Sequence, residues 1–272
     1  MNVERLLRNM TARNSNRIDN CFARLRSEKR KGFIPYICAG DPNLARTVDL
    51  ALALEESGAD ILELGLPFSD PLADGIVNQL AAQRALAAGA TTRGVLDCVA
   101  KIRKRSQIPI VLYTYLNPVF QFGLKEFHRA AEAAGVDGLL ILDLPPEEDI
   151  DLADSDVIHI RLIAPTTASG RIVAIVKSAK GFLYYVSREG VTGARDEVAT
   201  SLPDQIAQLR KLSNLPIAVG FGISNAEQAR EVACHADAVV VGSAIVDLIA
   251  QHGDSSPEKV GAFARELTKA IR

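Results

Sequence analysis

Eight short apolar runs, rich in β-branched residues, recur along this 272-residue chain, and the stretches between them are long enough to hold helices. The runs are FIPYIC (33–38), DILEL (60–64), PIVLYT (109–114), GLLILD (138–143), VIHIRLI (157–163), FLYYVS (182–187), PIAVG (216–220) and ADAVVVG (236–242). Most are continuously apolar instead of alternating, as parallel strands buried on both faces should be. Between them the spacing becomes helical. Residues 43–59 carry an apolar stripe that stops near Gly58, 132–138 ends in a Gly exit, and 223–233 opens with Ser and Asn. No Gly/Ser-rich linker or break in composition divides the chain. The pattern predicts one α/β domain over residues 1–272, a single (β/α)8 TIM barrel. An open doubly wound sheet is the competing architecture. It more often shows fewer strands and a G-x-G-x-x-G turn after the first, and this chain has no such turn.

Two elaborations are expected on that frame. An extra N-terminal helix over residues 2–12 puts Val3, Leu6, Leu7 and Met10 on one stripe, suited to cover the barrel's bottom. The elaborated connection from the second strand to the third, residues 65–108, has room for a loop and an additional helix. The run RLRSEKRKG (24–32) is basic but short, and reads as a solvated face. Overall, 31 Lys and Arg stand against 33 Asp and Glu, so neither nucleic acid nor an anionic membrane is an expected partner. No apolar run is long enough for a bilayer and the first residues lack a signal-peptide core, so a cytoplasmic enzyme is expected. Cysteines at 21, 38, 98 and 234 form no C-x-x-C pair and read as reduced thiols. Cys234 and His235 are adjacent, and one helix does not turn both toward one ion; no metal is expected.

In such a barrel, reactive groups come from the C-terminal strand ends and the loops after them. The polar residues there are Asp41, Glu63, Asp70, Asp74, Tyr113, Tyr115, Asn117 and Asp143. Glu63 lies between Leu62 and Leu64, where burial of an unpaired carboxylate costs on the order of several kcal/mol. Two readings stand: a carboxylate satisfied by structural hydrogen bonds, or a carboxyl whose pKa desolvation lifts toward neutrality for proton transfer. The loop LPFSDPLADG (66–75) favours the second, because its two prolines restrict the chain and hold its acids in place. The last two strands run into GFGIS (220–224) and GSAIV (242–246). There Gly admits close backbone approach and helix N-termini offer free amides, where these barrels often bind phosphate. The segment SREGVTGARDE (187–197) reads as a mobile lid. None of the four histidines is placed for catalysis, and no Ser-His-Asp, H-E-x-x-H or P-loop pattern occurs.

The stretch LELGLPFSDPLADG (62–75) resembles the signature of the tryptophan synthase α subunit family. FIPYICAGDPN (33–43), LYTYLNPVFQFG (112–123), LILDLPPEE (140–148), LIAPTT (162–167), YYVSREGVTGA (184–194), GFGIS and GSAIV agree with it, so the resemblance covers about residues 20 to 250. It implies a lyase that cleaves indole-3-glycerol phosphate, by a reversible retro-aldol reaction, to indole and glyceraldehyde 3-phosphate. By the same resemblance Glu63 is the general acid/base at the ring carbon that loses its side chain. Asp74 is the carboxylate that bonds the indole N–H and stabilises the developing positive charge. The implied substrate pocket is Tyr36, Tyr115 and Tyr184, with Phe221 at the phosphate end. Phosphate contacts are implied from the backbone of Gly193, Gly222 and Gly242 and from the amide and hydroxyl of Ser243. Thr192 matches a lid threonine that bonds the catalytic Asp on closure. No cofactor is implied for this half-reaction, since pyridoxal phosphate belongs to a β subunit. That subunit is the implied partner in an α2β2 heterotetramer, faced by the segment Pro67–Pro71.

The chain departs from the family pattern in places. After Asp74 and Gly75 the family usually continues Pro-Thr-Ile-Gln, whereas this chain has Ile76, Val77, Asn78 and Gln79. Tyr36 replaces a more usual Phe, and Thr114 a usual Met. Three functions follow: an α subunit delivering indole to β, a stand-alone lyase that releases indole, and a catalytically silent barrel that only activates β. Retention of both Glu63 and Asp74 argues against the last, while the altered 76–78 segment keeps the stand-alone lyase in play.

Overall fold

Each apolar run becomes a strand, and every pairing between neighbours is parallel. The structure, a computed structural model, describes residues 16–148, 155–186, 202–220 and 222–272. In chain order the elements are α1 (Arg17–Ser27), β1 (Gly32–Cys38), α2 (Leu44–Glu56), β2 (Leu62–Gly65), α3 (Ile76–Ala87), α4 (Thr92–Arg103) and β3 (Ile110–Thr114). Then come α5 (Leu116–Phe122), α6 (Leu124–Ala134), β4 (Gly138–Ile141), β5 (Ile158–His159), β6 (Arg161–Ile163), α7 (Ser169–Ser178) and β7 (Leu183–Val186). The last are α8 (Leu202–Leu212), β8 (Ile217–Gly220), α9 (Ala226–His235), β9 (Ala238–Val241), α10 (Ser243–His252) and α11 (Ser256–Ile271).

The sheet order is β5-β4-β3-β2-β1-β9-β8-β7-β6. Only Ile160 separates β5 from β6, and its amide donates to the Leu139 carbonyl on β4 at 2.8 Å. These two pieces are one stave, paired with β4 at its start and with β7 at its end. The ring closes through it, so nine strand segments make the eight staves read from the sequence. The long connection after β2 holds the loop 66–75 and two helices, α3 and α4, as its length suggested.

Burial explains the unbroken apolar runs. All seven residues of β1 are buried, with Ile34, Tyr36 and Cys38 in the barrel interior and Phe33 and Ile37 in the layer under the helices. The bottom is closed by α1, whose Ile18, Cys21, Phe22 and Leu25 join the interior cluster at helical spacing. Phe22 packs on Phe182 with ring centroids 5.5 Å apart. Part of the run 24–32 thus forms the end of a plug, not merely a solvated face, because Leu25 is buried among its charges. The helix assigned to 2–12, with its bottom-covering role, lies outside the described residues.

The same end carries three matching staples. Asp60, Asp137 and Asp237 each stand just before a strand and accept the amide that opens the neighbouring strand: Phe33 at 3.1 Å, Ile110 at 2.8 Å and Ile217 at 2.9 Å. Arginines neutralise them, Arg103 pairing with Asp137 at 2.7 Å and Arg210 with Asp237 at 3.1 Å. Carboxyl groups are therefore held at the bottom by cations and strand amides. The mouth is built differently.

Candidate active site

Glu63 is the second residue of β2 and lies level with Tyr36 on β1 and Val111 on β3. It is 2% exposed. Burial, and then the charge of Asp74, pushes its carboxyl up from the usual carboxylate range to about 8. At neutral pH it is mainly protonated.

Asp74 comes from the loop after β2 and sits one residue before Gly75, which opens α3 without a side-chain cap. Tyr113 donates to its Oδ1 and Tyr115 to its Oδ2, both at 2.8 Å. The two tyrosines are two residues apart on an extended stretch, which directs both side chains to one side. Tyr115 also accepts the Ala73 amide at 3.0 Å, fixing the loop as well as the carboxylate. The loop is tied again by the Gln79 amide, which donates to the Asp74 carbonyl at 2.8 Å. Burial raises the Asp74 carboxyl above its ordinary value, opposed by hydrogen bonds from Tyr115 and Tyr113. Both buried acids are desolvated and pushed upward, but at Asp74 hydrogen-bond donors oppose the rise by supporting the charge.

Tyr36 and Tyr184 complete the walls. Burial raises both hydroxyls well above the ordinary value, and the charges of Glu63 and Asp74 add to it, so both rings face the same two acids. Tyr36 meets Tyr113 edge-on at 5.2 Å between centroids. Glycines make room for the tyrosine hydroxyls: a Cβ on Gly65 would strike the Tyr36 ring, and one on Gly220 would lie 2.6 Å from the Tyr184 hydroxyl. Gly242 packs against Tyr36, 3.5 Å from a built Cβ to the Tyr36 Cβ, and precedes Ser243, the exposed first residue of α10. No side chain caps α10, whereas Asn225 caps α9. Gly222 is exposed, with φ of 76° that favours glycine.

Among the expected site residues, the structure brings together Glu63, Asp74, Tyr36, Tyr115, Tyr184 and Gly242, with Ser243 next in the chain. Thr192, Gly193 and Phe221, and the lid assigned to 187–197, lie outside the described residues. Tyr113, a mouth residue to which the sequence assigns no role, is the second anchor of Asp74; its position two residues before Tyr115 is the available signal. Two other mouth acids serve structure. Asp41 makes a two-pronged ion pair with Arg84 at 2.9 and 2.7 Å, and Asp143 accepts the Leu116 amide at the start of α5 at 2.6 Å. Among the described residues no cluster of three or more His, Cys, Asp or Glu could hold a metal, and no helix is long and apolar enough to cross a membrane. All four cysteines are free thiols.

A closed parallel barrel with two buried acids and a tyrosine-lined mouth at its C-terminal end defines an enzyme of the (β/α)8 class. The family model for the tryptophan synthase alpha chain matches residues 22–272, and the chain belongs to that family. A tryptophan synthase alpha chain from Opitutus terrae is 51% identical over 90% of this chain and 94% of its own length. One from Caulobacter sp. strain K31 is 50% identical over 94% and 96%. The solved subunit alpha from Legionella pneumophila superposes with a TM-score of 0.85 at 39% identity, covering 94% of this chain and 98% of that one. A structure of the Pyrococcus furiosus tryptophan synthase α2β2 complex, described in terms of mutual activation, gives 0.82 at 37% identity, covering 88% and 99%. The alpha subunit is a lyase that cleaves indole-3-glycerol phosphate in tryptophan biosynthesis.

Proposed function

We propose that Glu63 and Asp74 carry this cleavage and that the chain works with a β subunit. The observation that carries the reading is the pairing of a largely neutral Glu63 with a donor-supported Asp74 at one mouth. Glu63 gives its proton to the indole ring carbon bearing the glycerol phosphate chain, and the ring nitrogen takes up positive charge. Asp74, held by Tyr113 and Tyr115, accepts the ring N–H and stabilises that charge without reorganising. The ring-to-chain carbon bond then breaks, its electron pair returning to the ring. The hydroxyl on the departing carbon becomes an aldehyde, and the Glu63 carboxylate takes its proton, restoring the acid. Tyr36 and Tyr184 wall the indole. Ser243 and the backbone at Gly242 and Gly222 receive the phosphate, supported by the uncapped start of α10, with Gly193 and Phe221 assigned to the same end and Thr192 to a hydrogen bond with Asp74. This route uses protein groups alone.

The partner reading rests on the surface beside the mouth. Leu72 is 88% exposed, and Ile76 and Phe120 are 64% and 63% exposed, around the loop that anchors Asp74. Apolar side chains of this size gathered at an active-site rim favour a docking surface. The test is indole formation from indole-3-glycerol phosphate by the purified chain, with and without a cognate β subunit. Stimulation by β is expected. Equal activity alone would favour a stand-alone lyase, and no activity in either condition would favour a silent activating barrel.

A further inference from the structure

Asp74 is carried at the head of α3, so whatever fixes α3 also fixes Asp74. The junction between them is stiff. The Gln79 side-chain amide donates to the Asp74 carbonyl at 2.8 Å, and the Gln79 backbone amide to the Gly75 carbonyl at 3.0 Å. The packing of α3 is weak by comparison. Its buried residues are Ala81, Ala82 and Ala85, with Val77 partly buried, while the larger Ile76, Leu80 and Leu86 are exposed. Alanines raise only shallow ridges and bury little area, so this face leaves the helix free to tilt. One polar contact opposes the tilt. Arg84, in the last turn, donates from Nε to Asp41 Oδ1 at 2.9 Å and from Nη2 to Oδ2 at 2.7 Å. Such a two-pronged pair fixes direction as well as distance.

Asp41 offers a firm platform. It is 1% exposed, and the loop after β1 is held independently of α3: the Gly40 amide donates to Thr47 Oγ1 at 2.9 Å and the Ala39 amide to the Gly65 carbonyl at 2.8 Å. Gly40 brings this loop against the helix, since a Cβ there would lie 3.2 Å from the Ala85 Cβ. From Arg84 to Asp74 is about 15 Å along a helix, so a tilt of about 4° moves the carboxylate by about 1 Å. A shift of that size breaks its 2.8 Å hydrogen bonds from Tyr113 and Tyr115. We infer that the Asp41–Arg84 ion pair is a positioning device for the cleavage: it sets the tilt of α3 and thereby holds Asp74 against Tyr113 and Tyr115. This rests on the assignment of Asp74 as the charge-stabilising group. Asp41 and Arg84 act through the helix and are not themselves catalytic residues.

Three variants separate positioning from stability. Arg84→Met keeps the stem and removes the pair. Its kcat for indole-3-glycerol phosphate should fall roughly 10- to 100-fold, with KM within about twofold of wild type. The carbon-13 NMR titration of the Asp74 carboxyl in ligand-free protein should move to higher pH as its donors loosen. Its Tm should also fall, because Asp41 is left buried without a cation. Asp41→Asn combined with Arg84→Met removes that orphaned charge: Tm should recover in part, while kcat and the Asp74 titration should not. Arg84→Lys supplies a single ammonium that cannot form two parallel bonds, and should give an intermediate kcat. It carries the test if Arg84→Met does not fold. Recovery of kcat together with Tm in the double variant, or an unmoved Asp74 titration with unchanged kcat, would overturn the inference. If the titration moves while wild-type protein cleaves no indole-3-glycerol phosphate, the positioning role stands and the assignment of Asp74 to the cleavage is lost.

Discussion

The Tyr115 hydroxyl donates to Asp74 Oδ2 at 2.8 Å while accepting the amide of Ala73, the residue just before that aspartate, at 3.0 Å. One phenol therefore fixes both the carboxylate and the loop that carries it. The acid can stay charged in a buried mouth only because such donors replace water.

Removing a donor should show this. Tyr113→Phe or Tyr115→Phe leaves the ring packing but takes one charge-assisted hydrogen bond from Asp74, worth about 1.5–3 kcal/mol. The expected result is a loss of kcat/KM of roughly 10- to 100-fold, with the acidic limb of the pH profile shifted upward. Steady-state kinetics across pH check it, and an unshifted limb would sink the anchoring role.

Glu63→Gln should abolish turnover and leave circular dichroism unchanged, since it removes the proton and keeps the volume. It should also change how stability depends on pH. The Glu63 carboxyl is lifted in the folded protein from 4.5 to about 8, so between those values the native state binds more protons than the unfolded chain. Wild-type stability therefore falls as pH rises through that window, and the loss is complete above about 8. The Gln variant lacks this slope and should gain on wild type by a few kcal/mol at most at alkaline pH. Urea denaturation at pH 5, 7 and 9 reads the difference.

Because the reaction needs Glu63 protonated, activity should decline as pH rises through about 8. It should also decline at acidic pH once Asp74 takes a proton. A bell-shaped kcat/KM profile is the expected outcome. A profile flat from pH 7 to 10 would remove Glu63 from the proton-donor role.

Substitutions at the bottom should behave otherwise. Asp137→Ala leaves the Arg103 guanidinium, only 10% exposed, without its carboxylate and the Ile110 amide without its acceptor. The expected cost is about 3–5 kcal/mol in urea unfolding. Below the unfolding transition kcat should stay close to wild type, since the mouth lies at the opposite end of the strands.

The barrel was legible in the sequence because its signal is local: each stave is a run buried on both faces, readable without knowing its neighbour. Glu63 was legible for the same reason, as a lone acid between two leucines. The Asp74 anchors were not, since Tyr113 and Tyr115 lie 39 and 41 residues away and nothing in a linear pattern joins them. The plug α1 is obscured in the sequence because its apolar stripe is threaded through arginines.

The three aspartate staples also bear on how the chain finds its shape. Each joins a pair of adjacent strands across only 27, 27 and 20 residues. Closing a short loop costs little entropy, so these pairs can order themselves before the first and last strands meet. Assembly can then run as the joining of preformed two-strand units. The encounter of β1 with β9, the most distant neighbours in the chain, becomes the final step instead of the nucleus.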